Sequence, residues 1–373
     1  MRWRKLLHWT VVVPIISFGA LAVSWFYHPA PWVLAIEAVF LIGSVLAAVH
    51  HAETIAHKVG EPFGSLLLAV AVTVIEVALI VTLMVSGKGD TSTLARDTVF
   101  AAVMLTMNGI VGISLAVGAV KYHLAVFNPE GTGSALGAVI LLATLTLVLP
   151  RFTTSSPSPM FVSAQLTFVA VASIVVYGLF VFTQTIKHRD FFLPPVVSSS
   201  EPVAKAAPSS DDDDSEHACP PDRFATITSA IMLPITLVCV VGLTKVESPA
   251  IEVGVRALGF PASFVGVIIA IMVLLPESIA AVRAAAQNRT QISLNLGYGS
   301  AMASIGLTIP TLALASHWLP TPLTLGLEPI QIVLLAVSSV VAVLTVVPGR
   351  AKTLHASLHL VLLAVFVFLA IVP

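Results

Sequence analysis

Charge is scarce in this chain: only 10% of its 373 residues are Asp, Glu, Lys or Arg, against roughly a quarter in soluble domains. With 57% hydrophobic residues and a mean hydropathy of +1.00, a water-soluble globular fold is excluded. Basic surplus is also missing. Eighteen Lys and Arg face nineteen Asp and Glu, which leaves nothing with which to neutralise a phosphate backbone, so a nucleic-acid partner is not expected. Cysteine is limited to Cys219 and Cys239, too few for a disulfide framework or a thiolate metal cluster. The motifs G-x-S-x-G and H-E-x-x-H are absent, as are paired intramembrane aspartates, so nothing points to an enzyme.

Long apolar runs fill the space that charge leaves. A hydrocarbon core about 30 Å thick needs about 20 apolar residues per helix. Eleven such runs are present: Trp9 to Phe26, Trp32 to Val49, Phe63 to Ser86, Thr98 to Val120, Ser134 to Leu149, Phe161 to Thr183, Phe224 to Thr244, Ala262 to Val282, Leu294 to Ser316, Leu327 to Val347 and Leu354 to Val372. The expected fold is an all-α polytopic membrane protein of about eleven transmembrane helices, lodged in a lipid bilayer. The first run follows Arg2, Arg4 and Lys5 and outlasts a signal-peptide core, so it reads as a retained anchor, residues 1–31. A cytoplasmic N-terminus places thirteen of the eighteen basic residues inside and leaves Lys88, Arg96, Arg151, Lys245 and Arg256 outside. That bias satisfies the positive-inside rule and sets the C-terminus outside. Residues 187–223 form a cytoplasmic linker with the acidic run Asp211-Asp212-Asp213-Asp214 and Glu216, whose unbroken like charge reads as solvated chain.

Two carboxylates lie deep in apolar runs without an evident basic partner: Glu76 in the third and Glu277 in the eighth. A carboxylate at bilayer depth costs several kcal/mol and is functional by default, facing a cavity, taking up a proton or binding a cation. An odd offset of five spans makes the two segments antiparallel. The chain therefore reads as two inverted five-helix repeats, residues 32–186 and 224–373, plus the extra N-terminal helix, the layout of secondary transporters. Thr73 shares a helical face with Glu76, and Pro276 removes a backbone donor beside Glu277, which predicts a kink and a freed Met272 carbonyl. Ser300, Ser304 and Thr308 form a polar stripe in the ninth run, and Asn108 is flanked by Gly109 and Gly112 in the fourth. Such small-residue stripes also serve plain helix packing. Oxygen donors without sulfur or imidazole suit hard cations such as Ca2+ or Na+. Glu37 and Glu328 fall near run ends, where interfacial exposure is expected. His50, His51, Glu53 and His57 form a cytoplasmic cluster that reads as an interfacial stretch, with metal binding or pH sensing as the alternative.

The segment from Gly60-Glu61-Pro62-Phe63-Gly64-Ser65 through Val72-Thr73-Val74-Ile75-Glu76 to Ile80 resembles the first α-repeat of the bacterial ChaA-type calcium/proton antiporters, in the calcium/cation antiporter superfamily. Leu274-Leu275-Pro276-Glu277-Ser278 with Asn295-Leu296-Gly297-Tyr298-Gly299-Ser300 resembles the second. The resemblance implies exchange of cytoplasmic Ca2+ for external protons across the bacterial inner membrane. Glu76 and Glu277 would be the shared cation and proton site, joined by Thr73, Asn108, Ser300 and Ser304, with Asn108 and Ser304 in equivalent positions. No cofactor is implied beyond the transported ions. Many members carry Gly-Asn before the repeat glutamate, where this chain has Val72-Thr73 and Val273-Leu274. The missing amide keeps Na+ or K+ open as the exchanged ion. A cation channel is the remaining alternative, since Gly297-Tyr298-Gly299 echoes a potassium filter without its preceding Thr-Val. The charge asymmetry carries its own prediction: a reporter active only in the cytoplasm will be silent when fused after Pro373 and active when inserted in the 187–223 linker. The reverse pattern would overturn the orientation.

Overall fold

The computed structural model describes residues 8–26, 30–60, 63–86, 91–156, 159–194, 222–318 and 322–373. Arg2, Arg4, Lys5, Glu61, Pro62, Lys88, Lys205, Cys219 and the acidic run lie outside the described residues. Among the described residues, eleven helices are long and apolar enough to cross a membrane. They are α1 (Trp9–Phe26), α2 (Pro31–Val59), α3 (Phe63–Ser86), α4 (Leu94–Tyr122), α5 (Pro129–Arg151) and α6 (Ser163–Lys187), then α7 (Arg223–Ala257), α8 (Phe264–Ala286), α9 (Thr290–Ala315), α10 (Pro329–Val346) and α11 (Thr353–Ile371).

Two helices outrun their apolar stretches. α2 continues from Val49 to Val59, and α7 runs 35 residues to Ala257 instead of stopping near Thr244. Hydropathy falls at the first charged residues, whereas the backbone ladder goes on as long as no residue breaks it. α2 therefore carries His50, His51, Glu53 and His57 on the helix itself. α8 stays helical through Pro276, so the proline removes one donor without ending the element.

Burial sorts the helices into inner and outer. In α4, 83% of the apolar window is buried, and in α9 61%, whereas in α11 only 17% is. The outer helices show large apolar side chains outward, such as Val333, Val340 and Leu344 on α10 and Val361, Val365 and Phe368 on α11. In water such faces would be a liability, but in a bilayer they are solvated by acyl chains. The two innermost helices each contain a π-helical segment, Leu105–Ile110 in α4 and Ser304–Thr308 in α9. A π turn inserts an extra residue and frequently marks a functional site.

The turns at one face are joined side to side. Ala125–Val126 (β1), after α4, pairs antiparallel with Arg350–Ala351 (β2), before α11. Lys121 Nζ and Tyr122 Oη both donate to the Ala286 carbonyl at the end of α8, at 2.7 Å. Asn295 Nδ2 of α9 donates to the Phe192 carbonyl beyond α6, at 2.7 Å. This is the basic face, with Lys121, Arg283, Arg289, Arg350 and Lys352. At the opposite face, Arg96 Nε donates to Asp97 Oδ1 at 2.8 Å and Arg96 Nη1 to the Gly326 carbonyl at 3.2 Å. Both residues are buried, an ion pair sealing the start of α4.

α8 crosses α4 at Gly266, where a Cβ would lie 2.8 Å from the backbone carbon of Asp97 and the nitrogen of Thr98. Backbone cannot rotate aside. Gly266→Ala is expected to cost about 1–3 kcal/mol of overpacking strain, read as a lowered thermal unfolding midpoint in detergent. Gly137→Ala, with nothing within 4 Å of its Cβ, serves as the control and leaves the midpoint unchanged or slightly raised.

Candidate cation site

Glu76 sits in the middle of α3 and is 3% exposed. Its carboxylate is gripped from α9: Ser304 Oγ donates to Oε1 at 2.6 Å and Thr308 Oγ1 to Oε2 at 2.8 Å. Both donors belong to the π segment, of which Ser304 is the first residue and Thr308 the last. One hydroxyl for each carboxylate oxygen fixes the group's rotation and satisfies part of its acceptor capacity. Thr73 lines the same pocket but donates its own proton back to the Ala69 carbonyl at 2.8 Å, leaving only oxygen lone pairs for a ligand. With Ser300, Ala102 and Ala270, these residues enclose a cavity of about 20 Å³, space for one water molecule or one bare cation.

Glu277 is less buried and differently placed. Its Oε2 is shielded from solvent and has no hydrogen-bond partner. It lines a larger cavity of about 180 Å³ walled by α3, α6, α8 and α9, with Gln184, Asn295, Ser300 and Tyr177 among the lining residues. Ser300, Val72 and Ala303 border both this cavity and the small one around Glu76, so Ser300 stands between the two glutamates. Glu76 and Glu53 both lie within electrostatic reach of Glu277. Many of the lining residues, among them Leu68, Ala69, Gln184 and Asn295, come from the basic-face halves of their helices, which places the larger cavity on that side.

Asn108 is not brought to the glutamates. Its Nδ2 donates to Ser338 Oγ of α10 at 2.9 Å, and its Oδ1 faces His359 Nδ1 of α11 at 3.3 Å. His359 Nε2 in turn meets Thr345 Oγ1 at 3.2 Å, completing a buried polar network on the far side of α4. The reason is register: Asn108 is the fourth residue of its π segment, whereas Ser304 opens its own. The residue that opens the α4 segment is Leu105 and the residue in the place of Thr308 is Gly109, neither with a hydroxyl. Glu277 therefore lacks the hydroxyl pair that Glu76 has, which accounts for its orphaned oxygen.

Other expectations divide. Glu328 is half exposed at an interface, as expected, and accepts from Arg96 Nη1 at 3.3 Å. Glu37 is corrected: it is 2% exposed, covered by α1 and α7 rather than lying at the surface. The histidines do not converge on a metal. His51 is buried between Ser229 Oγ and the Thr10 carbonyl, each at 3.0 Å, while His50 stacks on His8 and His57 is exposed. Among the described residues no group of three or more His, Cys, Asp or Glu is placed to hold a metal ion. Thr308 was visible in the stripe with Ser300 and Ser304, yet nothing in a heptad-like spacing separates a clamp from packing. Gln184 gave no signal, standing alone near the end of an apolar run.

The profile of the family described as "Sodium/calcium exchanger protein" matches residues 29–186 and 228–372. The y4hA protein of Sinorhizobium fredii, named as an ionic transporter, is 39% identical over 98% of this chain and 96% of its own. The sodium-potassium/proton antiporter ChaA of Escherichia coli is 32% identical over 96% of this chain and 94% of its own. In structure, native YfkE superimposes with a TM-score of 0.73 at 15% identity, covering 98% of this chain and all of that one. The H+/Ca2+ exchanger CAX gives 0.67 at 15% identity, covering 95% and 87%. With the profile covering most of its length and full-length relatives above 30% identity, the chain belongs to the sodium/calcium exchanger family, within the calcium/cation antiporter superfamily.

Proposed function

We propose that this protein exchanges cytoplasmic Ca2+ for external protons across the bacterial cytoplasmic membrane by alternating access, with Glu76 and Glu277 as the shared site. The observation that carries this reading is the clamped Glu76 carboxylate beside a cavity of one-ion size, which shares Ser300 as a wall with the Glu277 cavity. Two hydroxyls are neutral donors and do not cancel a buried negative charge. A cation or a proton must do that. Because the same carboxylate oxygens serve either ligand, loading one expels the other, and exclusive occupancy is what couples two opposed fluxes. Two glutamates hold two protons or one divalent cation, an electroneutral swap. Thr73, Ser300 and Ser304 supply neutral oxygens, and Pro276 leaves the Met272 carbonyl without its helical donor close to Glu277.

A second reading, Na+ or K+ exchanged for protons on the same scaffold, draws on one observation. Glu277 lacks a hydroxyl pair and neither repeat has an amide at the ligand position, so the donor set is thin for a cation that takes six to eight oxygens. The Escherichia coli relative is named a sodium-potassium/proton antiporter, which supports the same alternative.

Proteoliposomes with an acidic lumen and a pH dye separate these readings. Under the first, Ca2+ added outside releases luminal protons and Na+ or K+ does not. Glu76→Gln and Glu277→Gln are silent with every cation. If either variant exchanges at the wild-type rate, the site is misassigned, and cation flux without proton flux would mean a channel. Ser304→Ala and Thr308→Val each remove a hydrogen bond to a charged group worth about 1.5–3 kcal/mol, so apparent cation affinity falls about 10- to 100-fold while exchange persists. Unchanged affinity in both would show that the clamp is structural only.

A further inference from the structure

A groove of about 550 Å³ lies between α1 and α7, away from both exchange glutamates, and every residue that lines it is apolar. Its floor is the contact of Leu21 with Gly242, both buried. A Cβ on Gly242 would lie 2.4 Å from Leu21 Cδ2, so the two helices meet there over an absent side chain. Phe18 and Trp25 of α1 and Val238 and Val241 of α7 flank that contact and are exposed, forming walls that open toward the bilayer. At this depth the solvent is hydrocarbon.

One end of the groove carries a charge. Lys245 follows Val241 and Gly242 by one helical turn, on the same face of α7, and its Nζ lies 4.7 Å from the Trp25 ring centroid. The apolar run of α7 spans Phe224 to Thr244, a rise of about 30 Å, which matches the thickness of the hydrocarbon core. Lys245 therefore stands at the boundary of that core, on the side away from the basic face. Trp25 and Phe26 close α1 at the same level, the usual depth of an interfacial tryptophan. The cation–π contact holds the ammonium on one side and leaves its remaining N–H donors for an anion. Among the described residues Lys245 has no carboxylate partner. Glu247, two residues on, is buried and points about 200° away around the helix.

An occupant must suit both an apolar groove and a cation at one end of it. A free anion would leave the groove unfilled, and an apolar helix would leave the ammonium unmatched. A phospholipid carries both parts on one molecule, at the spacing the bilayer itself sets. We propose that α1 and α7 form a binding site for one phospholipid of the leaflet opposite the basic face, its acyl chain in the groove and its phosphate on Lys245 beside Trp25. Head groups without an ammonium of their own are favoured, because an attached ammonium competes with Lys245 for the phosphate. The lipid seals α1 onto the body of the protein, where only 28% of that helix's apolar window is buried against other residues.

The test is native mass spectrometry of the full-length chain, purified in a detergent that strips bulk lipid and then titrated with phosphatidylglycerol. The expected outcome is one lipid retained per chain, with phosphatidylcholine held about fivefold more weakly. Lys245→Ala weakens phosphatidylglycerol by the same factor of about five, and Lys245→Arg restores it. Ala22→Phe, which fills the groove from an exposed position, abolishes retention of both lipids. Phosphatidylglycerol will also raise the thermal unfolding midpoint of the wild-type chain and leave that of Ala22→Phe unchanged. Lys245→Ala alters an exposed side chain only, so it decides the matter should Ala22→Phe fail to fold. The proposal is overturned if no lipid outlasts the detergent or if retention ignores both Lys245→Ala and Ala22→Phe. It is equally overturned if the chain is dimeric and Ala22→Phe makes it monomeric, which would give the groove to a second copy.

Discussion

The structure depends on one contact: a carboxylate in the middle of the hydrophobic layer, held by two hydroxyls from a neighbouring helix. Glu76 is 3% exposed beside a cavity of about 20 Å³, and its two bonds come from Ser304 and Thr308. A hydroxyl pair orients a carboxylate without neutralising it, so the site is geometrically complete and electrostatically incomplete. That imbalance is what the proposed exchange site requires. A basic residue in place of either hydroxyl would satisfy the charge permanently and leave nothing for a passing ion to do. The π segment of α9 is part of the same arrangement, since Ser304 and Thr308 bracket it and both reach one carboxylate.

The two halves share a plan and differ at the point that counts. α4 and α9 are the most buried helices, and each is interrupted by a π segment after the glutamate-bearing helix that precedes it. Yet α4 presents Leu105 and Gly109 where α9 presents Ser304 and Thr308, and its Asn108 is committed to Ser338 and His359. One glutamate is therefore buried with a hydroxyl on each oxygen, and the other borders a larger cavity with one oxygen unpartnered. Inverted repeats exchange roles when access switches sides. In this chain the two glutamate environments are unequal, because only Glu76 has a hydroxyl clamp.

Much of this was legible in the sequence. Eleven apolar runs, the scarcity of charge and the two deep glutamates follow from counting, because lipid penalises each exposed polar group. The Ser300, Ser304 and Thr308 stripe pointed to the helix that bonds Glu76. What was hidden is side-chain register. Asn108 and Ser304 occupy comparable places along the chain, but a π turn shifts direction by a residue, and no periodicity announces where that turn falls. Helix ends were missed for a related reason: Val49 and Thr244 end apolar stretches, not backbone ladders. Glu37 was misplaced because position along a helix gives depth, while burial depends on which neighbours, here α1 and α7, lie across it.

From the basic face inward, Glu53 and Glu277 are partly buried and Glu76 is fully buried. Glu53 is partly buried in the last turns of α2, Glu277 borders the cavity of about 180 Å³, and Glu76 lies beyond Ser300 beside a space of about 20 Å³. In the proposed exchange, a cation moving along this line would trade water for protein oxygen in stages, and the attraction of each carboxylate would strengthen as the surrounding dielectric falls. The stages also explain why a thin donor set suffices. A site that stripped the ion completely would need a full cage and would release it slowly, whereas one that keeps some water at Glu277 and little at Glu76 binds and lets go within a transport cycle. Under the proposed exchange, the Glu277 oxygen without a hydrogen-bond partner is the position free to hold the ion first.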